Sequence, residues 1–240
     1  MTPAAETRGT LYESGLIEPA SDGLLRPGGL ALTERAIASC ELPRGARLVD
    51  LGCGAGTSLA HLQRTLGLEV LGLDASRLLL GRGRAAGHGP LLHGDGAALP
   101  LRAGSVDAVL MECVLSVTED PARVLSECFR VLAPGGSLAM TDLYVRSSSG
   151  HNAGCSSGQW TREELITVLG TQGFTVRMWE DHSRALAELA ARLVMVHGSL
   201  SPLWEHTCGP HCRPRDGARP GYFLLVATTS KSASTEGAPS

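Results

Sequence analysis

The stretch LVDLGCGAGTSLAHL, residues 48–62, constrains this 240-residue chain more than any other. An apolar run ends at Asp50 and Leu51, glycines follow at 52, 54 and 56, and an amphipathic run opens near Thr57. That order predicts a buried strand, a sharp loop without side-chain bulk, and a helix. A ligand can lie directly against such a loop, because no Cβ stands in its way. The loop is not a dinucleotide fingerprint: G-x-G-x-x-G would need glycine at 57, where Thr57 stands. No lysine follows where a phosphate-cradling loop requires one.

Strand-like apolar runs then recur along the chain. They are ARLVDL (46–51), LEVLGLD (68–74), PLLHGD (90–95), VDAVLMEC (106–113) and GSLAMTDLY (136–144). Helical spacing appears between and around them, in LTERAIASCEL from about Thr33 to Pro43 and in DPARVLSECFRVL (120–132). This alternation predicts one doubly wound α/β domain, a parallel sheet with helices on both faces. After residue 160 come a helix at 161–170, FTVRMWED (174–181), a helix at about 183–198, and YFLLVATT (222–229). In that second helix Leu186, Leu189, Leu193 and Val196 recur as one packed face. Residues 1–28 read as an arm or lid, 29–229 as the domain, and the small, polar 230–240 as a disordered tail.

Composition excludes some classes of partner. With 21 Lys+Arg against 24 Asp+Glu there is no basic footprint for nucleic acid, and 4% aromatics leave little for base stacking. No apolar run reaches transmembrane length, and the first residues lack the basic and apolar regions of a secretory signal. A cytoplasmic protein without membrane contact, its seven cysteines reduced, is the expectation.

Acids mark three strand ends: Asp50 before the glycines, Asp74 after LEVLGL, and Asp95 after PLLHG. Any one of them reads as a solvated strand-end residue. Three on the carboxyl edge of one sheet, where open α/β folds bind ligands, suit ribose hydroxyls and positive charge better than a pyrophosphate.

LVDLGCGAG, GLDAS, GDGAALPLRAGSVDAVL and LSECFRVLAPGGSLAMTD, in that order, resemble the class I S-adenosylmethionine-dependent methyltransferases over residues 44–145. The resemblance implies a Rossmann-like, mostly parallel seven-stranded sheet whose last strand is antiparallel. It implies S-adenosylmethionine as cofactor and a small-molecule substrate. Asp50, Gly52, Cys53 and Gly54 would hold the methionine end, and Asp74 with Ala75 the ribose. Asp95 and Gly96 would lie at the adenine, and Glu112, Cys113 and Val114 where the fourth strand opens onto the cofactor. Arg26, in the arm's LLRPGG, is available to an anionic group.

Four of the cysteines have ordinary explanations. Cys40 and Cys128 fall on apolar helix faces, Cys53 in the glycine loop, and Cys113 at a strand end. Cys155, Cys208 and Cys212 have no core position: one follows the fifth strand, and two precede the last strand in WEHTCGPHCRPRDG. The arsenite methyltransferases likewise place one cysteine after strand five and one late, which is a second, narrower resemblance. Their third falls just after the glycine motif, where this chain has TSLAHLQ, so Cys212 would supply the third sulfur here. Thiolates favour soft ions, so the trio reads as the catalytic and substrate site for a metalloid such as arsenite. A structural zinc on Cys208 and Cys212 with a histidine or Cys155 is the alternative, since C-x₃-C suits zinc ligand spacing. The acceptor is then a small organic oxygen, nitrogen or carbon nucleophile, with Asp142 or His151 as candidate base. A non-catalytic S-adenosylmethionine-binding module is the reading from another class.

Overall fold

A computed structural model of the chain describes residues 10–15, 17, 24, 26–146, 160–200 and 220–231. In chain order the elements begin with α1 (Thr10–Glu13), α2 (Gly29–Ala38), β1 (Arg47–Leu51) and α3 (Thr57–Leu66). They continue with β2 (Glu69–Asp74), α4 (Arg77–Ala85), β3 (Leu91–His93), β4 (Val106–Glu112) and α5 (Pro121–Val131). The last are β5 (Leu132–Val145), α6 (Arg162–Thr171), β6 (Phe174–Asp181), α7 (Ser183–His197) and β7 (Pro220–Thr229).

The seven strands form one sheet in the order β3-β2-β1-β4-β5-β7-β6. All pairings are parallel except those of β7, which runs antiparallel to both β5 and β6. Order reverses between β1 and β4, and a crevice at the carboxyl ends of those strands is where such sheets take ligands.

Side chains alternate between two apolar layers. Val109 and Met111 of β4 join Phe223 and Leu225 of β7 in the layer under α5 and α6. Ala108 and Leu110 join Tyr222 and Leu224 in the layer under α2 and α3. Central strands covered on both faces read as continuous apolar runs, which is how they stand in the sequence. In β1 the alternation turns Asp50 to the α2–α3 side, where it is only 3% exposed. α5 starts cleanly because Asp120 caps it, accepting from Arg123 N at 2.9 Å, and Pro121 follows. A capping box of Thr161 and Glu164 starts α6.

Four local expectations differ from the structure. α2 begins at Gly29, four residues before Thr33, because Pro27 and the left-handed Gly28 (φ 79°) already turn the chain into it. It ends at Ala38, and Glu41 takes φ 51°, so Cys40 sits in the turn beyond the helix. Burial pushes the Cys40 thiol up to about 11, and it donates to Ala36 O. In α7, Leu189 and Leu193 are buried, but Val196 is 49% exposed and Met195 86%. Those two leucines form a small cluster with Leu200, apart from the two main layers. At the expected tail boundary Lys231 still packs on the domain, donating from Nζ to Leu132 O at 2.6 Å. Among the described residues no helix is long and apolar enough to cross a membrane.

Candidate functional site

A cavity of about 460 Å³ opens at the carboxyl ends of β1, β2 and β4. Its floor is the glycine loop. Gly52 N donates to Leu73 O at 2.7 Å, tying the loop to β2, and Gly56 N donates to Cys53 O at 2.8 Å. Gly52 has φ +74°, and a Cβ there would lie 2.3 Å from Val114 Cγ2, so only glycine fits. At Gly54 a Cβ would meet nothing nearer than Leu79 Cδ1 at 3.9 Å, so the space above that residue belongs to the cavity. From behind, α4 presses on the loop at Gly83, where a Cβ would come within 2.3 Å of Ala55 O. His88 Nδ1 lies 2.8 Å from the same carbonyl.

Every strand-end residue singled out for the cofactor lines this one cavity: Asp50, Gly52, Cys53, Gly54, Asp74, Ala75, Asp95, Gly96 and Glu112. Their states differ. Asp74 is held by two backbone donors, Gly54 N on Oδ2 and Ser76 N on Oδ1, each at 2.7 Å. Burial still outweighs those donors and raises its pKa. Asp95 accepts from Ala97 N at 2.9 Å. Asp50 accepts no hydrogen bond from any described residue, and burial, reinforced by Glu112, pushes its pKa up to about 8. Glu112 is spent on the protein itself: Thr33 donates to Oε1 at 2.9 Å and Arg26 Nη2 lies 2.9 Å from Oε2. Burial also pushes the Cys53 and Cys113 thiols far up, so both stay protonated at neutral pH.

Residues that periodicity did not single out also form the wall, among them Tyr12, Glu13, Ser76 and Val117. Tyr12 bonds the Cys113 thiol, and Ser76 Oγ donates to Glu13. α1 is only four residues long, too short for a periodic signal. Cys113 takes the left-handed φ of 57°, and its Sγ lies 3.1 Å from Tyr222 Oη. Asp142, one of the two candidate bases, does not line the cavity. Its Oδ2 accepts from Ser116 N at 2.9 Å and its Oδ1 from Leu143 N at 2.7 Å, so it pins the loop after β4. His151, Cys155, Cys208 and Cys212 lie outside the described residues. Among the described residues no three His, Cys, Asp or Glu are grouped to hold a metal.

Five carboxylates against two guanidinium groups, those of Arg26 and Arg82, line the cavity. A pyrophosphate would be repelled there, whereas an ammonium, a sulfonium and ribose hydroxyls find partners. The residues present therefore fit S-adenosylmethionine.

The chain is similar to known methyltransferases. The family described as "Methyltransferase domain" matches residues 49–140. A Mycolicibacterium smegmatis protein named "Probable S-adenosylmethionine-dependent methyltransferase" is 36% identical over 156 residues, which is 62% of this chain and 60% of that one. An arsenite methyltransferase of Aquipseudomonas alcaligenes is 33% identical over 116 residues, covering 42% of this chain and 34% of that one. The chain thus spans from about a third to under two thirds of the length of these relatives. Among solved structures, the [4+2]-cyclase SpnF superposes with a TM-score of 0.75 at 21% identity, over 93% of this chain and 94% of that one. That likeness speaks for the fold alone. Across residues 49–140 the chain is similar to the methyltransferase-domain family, and a probable S-adenosylmethionine-dependent methyltransferase is among its relatives.

Proposed function

We propose that this chain is a methyltransferase that uses S-adenosylmethionine to methylate a small molecule. The observation that carries the proposal is the cavity itself, in which the glycine loop, Asp50, Asp74 and Asp95 converge on one crevice. Bound there, S-adenosylmethionine would supply an electrophilic methyl group on a sulfonium sulfur. Asp74 would take the two ribose hydroxyls, and Asp95 with the Gly96 backbone would lie at the adenine. Gly52 and Gly54 let the methionine end lie against the main chain. Asp142 keeps the 113–116 loop in position. Incubating the protein with methyl-labelled S-adenosylmethionine and candidate acceptors tests the reading: label should pass to a small molecule. Tight binding of the cofactor with no transfer to any acceptor would favour a binding module.

For the acceptor, the thiols of Cys155, Cys208 and Cys212 are assigned to a soft substrate such as arsenite. Support comes from the sequence positions of the three cysteines and from the arsenite methyltransferases among the relatives. A metalloid held by thiolates keeps a lone pair, so no base is needed and positioning supplies most of the rate. A structural zinc on the same thiols makes the opposite forecast. With a substrate role, Cys155→Ser and Cys208→Ser keep cofactor affinity and melting temperature yet lose turnover on arsenite. A zinc site contributes its binding energy to folding, so there both variants melt lower and a chelator mimics them. Full activity of the triple serine variant, with no metal in the purified protein, would remove both roles.

A further inference from the structure

The turn GHGP (87–90) between α4 and β3 belongs to no helix or strand, yet its backbone is held at both ends. Gly87 N donates to Arg84 O at 3.1 Å and His88 N to Gly83 O at 3.0 Å, which fixes the turn to the end of α4. Pro90 O accepts from Gly72 N at 2.9 Å, which fixes it to β2. Gly87 (φ 74°) and Gly89 (φ 38°) flank His88, both in the left-handed region that favours glycine. The turn they make brings the half-buried imidazole against the glycine loop after β1, with Nδ1 2.8 Å from Ala55 O. A carbonyl oxygen only accepts, so Nδ1 carries the proton and donates.

The loop's other ties run through its N–H groups. Gly52 N and Cys53 N donate to Leu73 O at 2.7 and 3.2 Å, Gly54 N to Asp74 Oδ2 at 2.7 Å, and Gly56 N to Cys53 O at 2.8 Å. His88 instead takes the carbonyl of Ala55, at the tip between Gly54 and Gly56. It also backs the loop sterically, since a Cβ on Gly56 would lie 3.4 Å from His88 Cβ. Three glycines in five residues make this loop expensive to order, and order already present before the ligand arrives no longer weakens binding. We infer that His88 is a positioning residue for the cofactor: by holding Ala55 O it sets the conformation of the loop on which the ligand lies. His88 does not line the cavity and acts through the loop alone. The inference rests on the S-adenosylmethionine reading for the identity of the ligand and adds to the site a residue from outside the cavity.

Two measurements test the inference together: calorimetry with S-adenosylhomocysteine, and hydrogen exchange of the ligand-free protein read by mass spectrometry. His88→Ala should weaken binding about tenfold, the loss expected for one broken hydrogen bond. It should also speed exchange in the peptide spanning Gly52 to Thr57 while β4 and α5 stay unchanged. His88→Asn puts an amide N–H near the position of Nδ1 and should bring both readouts back to within about threefold of the wild type. Should the alanine variant fail to fold, His88→Leu takes its place, keeping the bulk without the donor, and the same losses are expected of it. Wild-type affinity and exchange in the variant without a donor would overturn the inference. So would an asparagine variant as impaired as the alanine one, or exchange accelerated equally along the whole chain. If the wild type itself binds no S-adenosylhomocysteine, the S-adenosylmethionine reading fails, while the exchange data still decide whether His88 holds the loop.

Discussion

Replacing Asp74 with alanine should raise the dissociation constant for S-adenosylhomocysteine at least about a hundredfold, the largest single loss expected at this site. Two ribose hydroxyls donating to a carboxylate are worth on the order of 1.5–3 kcal/mol each, because the acceptor is charged. The same carboxylate holds Gly54 N and Ser76 N, so its removal also loosens the glycine loop and the start of α4. Stability should suffer less than binding. Burial already raises the pKa of Asp74, which means that the folded protein tolerates its charge at a cost. Wild-type affinity in Asp74→Ala, measured by calorimetry, would contradict this assignment.

The second large effect is on pH. Asp50, pushed up to about 8, holds its proton over much of the neutral range while the cavity is empty. An ammonium favours the ionised form, so binding should release this proton. Affinity should therefore climb by about tenfold per pH unit from roughly pH 6 toward 8 and level off above. Enthalpies measured in buffers of different ionisation heat should show close to one proton released at neutral pH. Asp50→Asn should flatten the profile.

The stability of the protein carries the same signature with its own sign. The folded pKa of Asp50 lies above the unfolded carboxylate value. Its stabilising contribution is therefore complete below about pH 4 and is lost as pH rises through 8. Asp50→Asn should accordingly melt higher than the wild type at pH 8 and above, with the gap closing toward pH 4. A stability gap independent of pH would show that Asp50 is ionised throughout.

Much of this architecture is legible in the sequence, for a physical reason. A strand covered on both faces must be apolar along its whole length, so β1, β4 and β7 announce themselves. Glycine is needed where the backbone turns left-handed under a ligand, so the loop between β1 and α3 is visible too. Acids at strand ends follow from the same pattern. Contacts distant along the chain are not legible. Arg26 with Glu112 and Tyr12 with Cys113 join residues far apart in sequence, and no local period encodes them. Nor does the sequence show that Asp142 stands outside the cavity and accepts from Ser116 N and Leu143 N. Thr33 reads as a cap in the sequence, which sets the expected start of α2 four residues late. In the fold it is a fully buried helix residue that bonds Glu112.

The central claim is that the crevice between β1 and β4 takes S-adenosylmethionine and not a dinucleotide. Titration calorimetry of the wild-type protein with S-adenosylhomocysteine and, separately, with NAD tests it most directly. Saturable one-to-one binding of S-adenosylhomocysteine and no heat from NAD are expected. Binding of NAD, or no binding of S-adenosylhomocysteine at any pH between 6 and 9, would contradict it.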